Sequence, residues 1–151
     1  MLDHGALTDY VLAALTAGIA ANVTGSALPL VGDGVAPADG GWIHGQPGDG
    51  VFRPYVALVS GGASPINEHL DSFNPDWSVT FSLRSFGGSR KQCDWMATLM
   101  RGLIAGLAHH TVGSWSIIGI RWGSWGPVSR VDATAPPFWQ VFDTFSLVLS
   151  S

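Results

Sequence analysis

The sequence predicts a two-layer α+β domain, in which a mainly antiparallel sheet of about four strands is packed by a long helix at about residues 90–109. Three observations support this fold class. Apolar and polar residues alternate through Trp77–Phe86, as in a strand with one buried face. A broad apolar stripe at helical spacing follows that strand. The elements then run in the order helix, loop, two strands, helix, two strands. We expect residues 1–151 to form a single domain.

The first element is an N-terminal helix at about residues 7–21. Leu7, Val11 and Leu15 recur at helical spacing, and Thr8 or Asp9 is available to cap the first turn. Long loops rich in glycine and proline follow it, over residues 22–54 and 61–75. The role of the glycine-rich insert at 32–50 is left open, although no Lys-Ser/Thr pair follows its glycines as in a phosphate-binding loop. We expect contacts with partners to order these loops.

The remaining elements are four strands and the main helix. Ser89 and Gln92 form a capping box that opens this helix. Residues 123–127 are expected to form a turn between the third strand and the last. The predicted strands are Tyr55–Ser60, Trp77–Phe86, Trp115–Trp122 and Phe138–Leu149. The predicted core pairs strand residues with helix residues: Trp77, Val79, Phe81 and Leu83 with Trp95, Leu99, Leu103 and Leu107.

The composition indicates an assembly rather than a free monomer. Charged residues are only 12% of the chain, while hydrophobic residues are 46% and include seven tryptophans. Residues 1–52 contain five aspartates and no Lys or Arg, whereas the rest has seven cations against six acids. Without a basic stripe, a protein that reads DNA grooves is excluded. No apolar run is long enough for a membrane span, so we expect no membrane partner.

No residue set predicts catalysis, a metal or a cofactor. Adjacent histidines such as His109 and His110 cannot both face one ion from a helix. Cys93 has no base near it in the sequence, so we interpret it as a packing residue. Glu68, His69 and Asp71 lie together in a loop without a nucleophile motif. We therefore expect a protein that is not an enzyme, whose tryptophans serve the core and its interfaces.

Three segments of the chain resemble one family. The first is Arg53–Leu58, a strand followed by a glycine-rich loop. The second is Val79–Trp95, a strand, a capped turn and the main helix. The third is Ser129–Asp132 with Pro136–Trp139, which leads into the last strand. In order and character these segments are similar to the tail terminator proteins of bacteriophages with long, non-contractile tails (siphoviruses).

The resemblance implies a structural protein of the virion neck, made in the cytoplasm of a host bacterium. Members of that family form a hexameric ring that docks on the tail tube, ends its polymerisation and joins it to the head connector or stopper. The implied partners are further copies of the chain, the tail tube protein and the connector, while genomic DNA passes through the channel without specific binding. The expected subunit or tube interface comprises Arg53, Glu68, His69, Asp71, Trp122, Trp125, Arg130 and Asp132.

Two alternatives remain open at this point. A head-side connector or stopper of similar size is the alternative among phage neck proteins. A small hydrolase or ligand-binding α+β domain is an alternative of a different class. A ring with a central hole would favour the neck proteins, and binding to the tail tube would separate a terminator from a connector.

Overall fold

The protein is built mainly from β-strands, and the prediction of a four-stranded antiparallel sheet packed by one long helix is wrong. The computed structural model describes residues 2–25, 28–42, 51–66, 76–133 and 136–151. Of these described residues, 46% lie in strands and 27% in helices. The main sheet is curled, mixed and seven-stranded. Within the described residues, two helices accompany it.

The elements are numbered in chain order. The helices are α1 (His4–Asn22) and α2 (Arg90–Ala105). The strands are β1 (Leu30–Asp33), β2 (Gly41–Trp42), β3 (Phe52–Arg53), β4 (Tyr55–Pro65), β5 (Trp77–Gly87), β6 (Thr111–Val112), β7 (Trp115–Trp125), β8 (Ser129–Val131) and β9 (Phe138–Ser150).

The main sheet has the strand order β1-β4-β5-β9-β7-β6, and β8 pairs with the beginning of β9. Strand β1 runs parallel to β4, whereas the other neighbours are antiparallel. Strands β2 and β3 form a separate two-stranded sheet. The four strands predicted from sequence are therefore the central ones, β4, β5, β9 and β7.

The sheet is larger than predicted because three short strands and one extended strand lie in segments that resemble loops. Strand β1 is only four residues long and contains Gly32. Strand β4 continues past Ser60 to Pro65, since a bulge between Ser60 and Ala63 absorbs two glycines. Strands β6 and β8 have two and three residues. Neither the three short strands nor the added part of β4 is long enough to show an alternation of apolar and polar residues.

Both helices begin at side-chain caps. The Asp3 carboxylate accepts a hydrogen bond from the Ala6 amide at 3.0 Å, so α1 starts at His4 rather than at residue 7. Ser89 caps α2 as predicted, accepting from the Gln92 amide at 3.1 Å. The Gln92 side chain in turn accepts from the Gly88 amide at 2.8 Å. Helix α2 ends at Ala105, before the predicted residue 109, and Gly106 is its C-terminal cap residue.

The main core lies between the two helices and one face of the sheet. It contains Leu7, Val11, Leu15 and Ile19 of α1 and Met96, Met100 and Ile104 of α2, packed on Val56, Leu58, Val79, Phe81, Leu83, Ile117, Phe145, Leu147 and Leu149. The strand half of the predicted core is largely confirmed, since Val79, Phe81 and Leu83 are buried. Of the helix half, Leu107 is buried as predicted. Leu99 and Leu103 lie at the core's edge and Trp95 is 44% exposed, so the buried face of α2 is rotated from the predicted one.

Two bulges keep one face of β7 directed at the core. The register against β9 shifts between Ile117 and Gly119 and again between Trp122 and Ser124. Each shift puts two residues opposite one, which restores the inward orientation after a break in the alternation. The inward residues are therefore Trp115, Ile117, Ile120, Trp122 and Trp125. The second bulge also explains why the predicted turn at 123–127 is still strand as far as Trp125.

Candidate interaction surfaces

The residues predicted for an interface lie in three places. Arg53 is in β3, Trp122 and Trp125 are near the end of β7, and Arg130 and Asp132 lie in and just after β8. Glu68, His69 and Asp71 fall on residues 67–75, outside the described part of the chain.

The two tryptophans belong to a cluster that the sequence analysis did not predict. Trp125 packs edge-on against Trp122 with ring centroids 5.5 Å apart. The Arg101 guanidinium of α2 lies over the Trp125 ring at 4.6 Å, within cation–π range. Trp122 also contacts Phe145 of the core, at 5.7 Å between centroids. Trp122 is therefore anchored inside, while Trp125 is held at the surface with 58% of its area exposed.

Asp143 of β9 fixes the position of this cluster. Its carboxylate, 1% exposed, accepts from Nε and Nη2 of Arg101, both at 2.9 Å. It also accepts from the Gly126 amide at 2.9 Å, which ties down the turn after β7. A buried carboxylate is stable when paired and hydrogen-bonded in this way. The Trp125 side chain is thus displayed on a rigid support.

A groove of about 340 Å³ runs between α2 and β7 beside this cluster. Its walls are apolar tryptophan faces on one side and small helix residues on the other. It is lined by Thr98, Arg101, Gly102, Ala105, Trp122 and Trp125. Its shape and chemistry suit an apolar side chain of another protein, since aromatic residues and arginine are preferred anchors at such contacts.

A second apolar patch lies near the other end of α2. Trp95 and Val51 are both exposed there, in a hollow of about 220 Å³ that Arg53 also lines. The Arg53 guanidinium donates to the Leu28 carbonyl at 2.9 Å, so this arginine holds the chain before β1 in place. Gln92 adds a bond to the Phe52 carbonyl at 3.3 Å. The predicted Arg53 is thus a scaffold residue beside the patch.

The sheet face opposite the helices is polar over its centre. Hydroxyl groups pair across strands there: Thr80 with Ser146 at 2.9 Å, and Ser124 with Thr144 at 3.1 Å. The Arg84 guanidinium covers the Phe142 ring at 5.1 Å. Arg130 and Asp132 form an exposed ion pair at 2.7 Å at the β8 end of this sheet.

Cys93, which the sequence indicates is a packing residue, is buried. Cys93 donates to the Ser85 carbonyl at 3.5 Å, and burial raises the pKa of its thiol to about 11, with Asp94 and Asp143 adding to the effect. His109 and His110 are exposed at the turn after α2. Over the residues that the structure describes, no three His, Cys, Asp or Glu side chains converge on a possible metal position. No helix in the described ranges is long and apolar enough to cross a membrane.

A sequence signal for the Arg101–Asp143 pair exists. Asp143 is in phase with Val141, Phe145 and Leu147, which places a carboxylate on the buried face of the last strand. A buried charge needs a partner. Arg101 is the only Lys or Arg between Gln92 and Ile120, so it is the obvious candidate on the helix that covers that face.

Comparison with known proteins finds a match at the level of structure. No protein-family model matches the chain, and no curated protein matches it in sequence. A solved structure described as the virion of a native gene transfer agent (GTA) particle contains a chain with a similar fold, at a TM-score of 0.55 and 17% sequence identity. The match covers 92% of this chain and 94% of that one. The two chains therefore share a fold over nearly their whole lengths.

Proposed function

We propose that the chain is a structural protein of a virion, and that six copies form a ring on the finished tail tube. The ring ends tube polymerisation and presents a surface to the head connector, and genomic DNA passes through its channel. The observation that carries this proposal is the fold shared almost end to end with a chain of the gene transfer agent virion particle. The resemblance of Val79–Trp95 to tail terminators favours a position at the end of the tail within the virion.

The two apolar patches are surfaces suited to contacts with the tail tube and with neighbouring subunits. The Trp125 groove and the Trp95 hollow lie toward opposite ends of α2 and differ in shape and lining. Exposed tryptophans are costly on a free monomer with only 12% charged residues. Burial between subunits and against the tube offsets that cost.

The role is one of binding rather than catalysis. The buried carboxylate of Asp143 is fully occupied by hydrogen bonds from Arg101 and the Gly126 amide. The thiol of Cys93 is buried, and burial raises its pKa to about 11, whereas reactive cysteines have a lowered pKa. These groups act by holding the subunit's surfaces in shape.

The experiment is a tube-capping assay with the purified chain and the tail tube protein of the same virion. We expect the chain to sediment as a hexamer and to appear as a ring in negative stain. Added to polymerising tube protein, it should bind one tube end and shorten the length distribution. Trp125→Ala should weaken ring formation or capping, while Val35→Ala, at another exposed apolar residue, should not.

The outcomes separate the alternatives. A ring that ignores tubes but binds the head-side neck proteins would establish the connector instead of the terminator. A chain that remains monomeric and leaves tube length unchanged would contradict the proposal altogether.

A further inference from the structure

Two stretches of strand have an unused edge. On the outer side of β7, β6 pairs only with Trp115 and Ser116, and the turn residues His109 and His110 bond to Ile117. No strand among the described residues pairs with residues 118–125 on that side. At the other edge of the sheet, β1 pairs with Tyr55–Leu58 and the Gly34 amide bonds to the Leu58 carbonyl. The outer side of residues 59–65 likewise has no strand partner within the described ranges.

The two unused edges lie at the same height in the sheet. Following the pairing from strand to strand, Val59 is level with Ser82, Thr144 and Ser124. At the other end, Pro65 is level with Trp77, Leu149 and Ile117. The two unused edges therefore cover the same stretch along the strand direction. They lie on opposite sides of the four central strands, one on β4 and the other on β7.

Their directions are also compatible. Strands β4, β5, β9 and β7 are successively antiparallel, so β7 runs opposite to β4. When a second copy is placed beside the first in the same orientation, its β4 edge meets β7 as an antiparallel neighbour. That arrangement extends one sheet across the boundary between copies, with the helices of both copies on the same side.

The residues on these edges suit such a contact. A long exposed edge is normally guarded by lysine or inward-pointing charge, but β7 contains no lysine and only one charged residue, the exposed Arg121. The β4 edge presents small residues, Gly61–Ser64, which allow close approach. Asp33, exposed at the end of β1 beside that edge, carries the charge opposite to Arg121.

We propose that β7 of one copy pairs with residues 59–65 of β4 in the next copy, and that this strand pairing forms the subunit contact of the ring. The inference rests on the ring of the proposed function and identifies how it closes. Six copies of four strands, at about 4.8 Å per strand, give a circumference of roughly 115 Å and a diameter of about 37 Å for strands parallel to the axis. Tilted strands would widen it.

Engineered disulfides test the contact directly. Val59→Cys is combined in turn with Ile118→Cys, Arg121→Cys and Ser124→Cys, so that several registers are sampled along β7. Within one copy Val59 and Ser124 are separated by β5 and β9, about 14 Å at 4.8 Å per strand. A disulfide needs Cα atoms within about 7 Å, so any bond formed joins two copies. Val59→Cys with Thr16→Cys, on the exposed side of α1, is the control.

We expect at least one β7 pair, and not the control, to give a ladder up to the hexamer in a non-reducing gel. Gly62→Lys, whose side chain would point into open space, should convert rings to monomers that retain the wild-type circular dichroism spectrum. Ala13→Lys on α1 should leave rings intact. The competing explanation of these edges is that the β-bulges in β4 and β7 prevent strand pairing between copies.

If the bulges do block pairing, rings will form without any cross-link and Gly62→Lys will assemble normally, which overturns the strand contact while leaving the ring. A chain that is monomeric even with tube protein overturns both the contact and the proposed function.

Discussion

The Arg101 guanidinium and the Asp143 carboxylate form a bidentate ion pair between α2 and β9, with both N–O distances at 2.9 Å. The pair joins the helix layer to the sheet beside the cluster that displays Trp125. Its carboxylate is 1% exposed and the arginine 18%, so solvent screens the pair only weakly. Loss of one partner leaves the other as an uncompensated charge at a largely buried position.

The first prediction is that Asp143→Ala lowers the free energy of unfolding by about 3–5 kcal/mol, because Arg101 then loses its carboxylate partner. The double variant Arg101→Met with Asp143→Ala should lose clearly less than the sum of its two single variants, since it leaves no unpaired charge. Denaturant unfolding of Asp143→Ala, Arg101→Met and the double variant measures the coupling. Losses that simply add would mean that the pair contributes no coupling energy.

The Arg130–Asp132 pair supplies the second prediction and a contrast to the first. Its N–O distance is shorter, 2.7 Å, but the side chains are 53% and 70% exposed. Water and salt screen such a pair, so Asp132→Ala should cost less than about 1 kcal/mol. The same denaturant titration checks it. A loss comparable to that of Asp143→Ala would show that distance rather than burial decides the strength of these pairs.

The sequence predicted the central strands and both helices but misplaced the buried stripe of α2. The stripe of Trp95, Leu99 and Leu103 is as apolar as that of Met96 and Met100, so periodicity alone could not choose between them. Packing chose the methionine side, since Met96, Met100 and Ile104 are fully buried. The flexible methionine side chains pack within the main core. Leu99 and Leu103 are left at the margin.

The third prediction tests this rotation. Met100→Ala should lower the free energy of unfolding by about 2–5 kcal/mol because it opens a cavity in the main core. Leu99→Ala should cost clearly less, since Leu99 is only partly buried. Thermal or denaturant unfolding of the two variants compares them. A larger loss for Leu99→Ala would restore the stripe expected from the sequence.

The rest of the sheet and the cluster at Asp143 depend on contacts distant in sequence. Strand β1 forms because Leu30–Asp33 pairs with Tyr55–Leu58. No local sequence pattern in this glycine-rich segment predicts a strand. The bulges of β7 break the alternation that defines a strand. Of the predicted interface, Trp122 and Trp125 do come together, but the sequence prediction did not include Arg101, the arginine that supports them.

The fourth prediction concerns two glycines in contrasting surroundings. A Cβ on Gly126 would collide with the Phe142 carbonyl oxygen, a backbone atom that cannot move aside without a large energy cost. Gly126→Ala should therefore be strongly destabilising and should displace the turn that bonds to Asp143. A Cβ on Gly102, inside α2, meets nothing within 4 Å. Gly102→Ala should instead stabilise the protein by about 0.5–1 kcal/mol, because alanine has the higher helix propensity. Melting temperatures that shift in the same direction would contradict the pair of assignments.

The last prediction follows from the thiol of Cys93. Burial raises its pKa from 9.0 to about 11 in the folded protein, so folding favours the protonated thiol. The resulting stabilisation is fully present below about pH 9, where both the folded and unfolded states hold the proton. It is lost as the pH rises toward 11, because the unfolded chain releases the proton first. A shift of two pKa units corresponds to about 2–3 kcal/mol. The free energy of unfolding should therefore fall more steeply between pH 9 and 11 in the wild type than in Cys93→Ala, in which the other titrating groups remain. Parallel curves for the two proteins would show that the folded thiol titrates like an exposed one, contrary to its buried position against the Ser85 carbonyl.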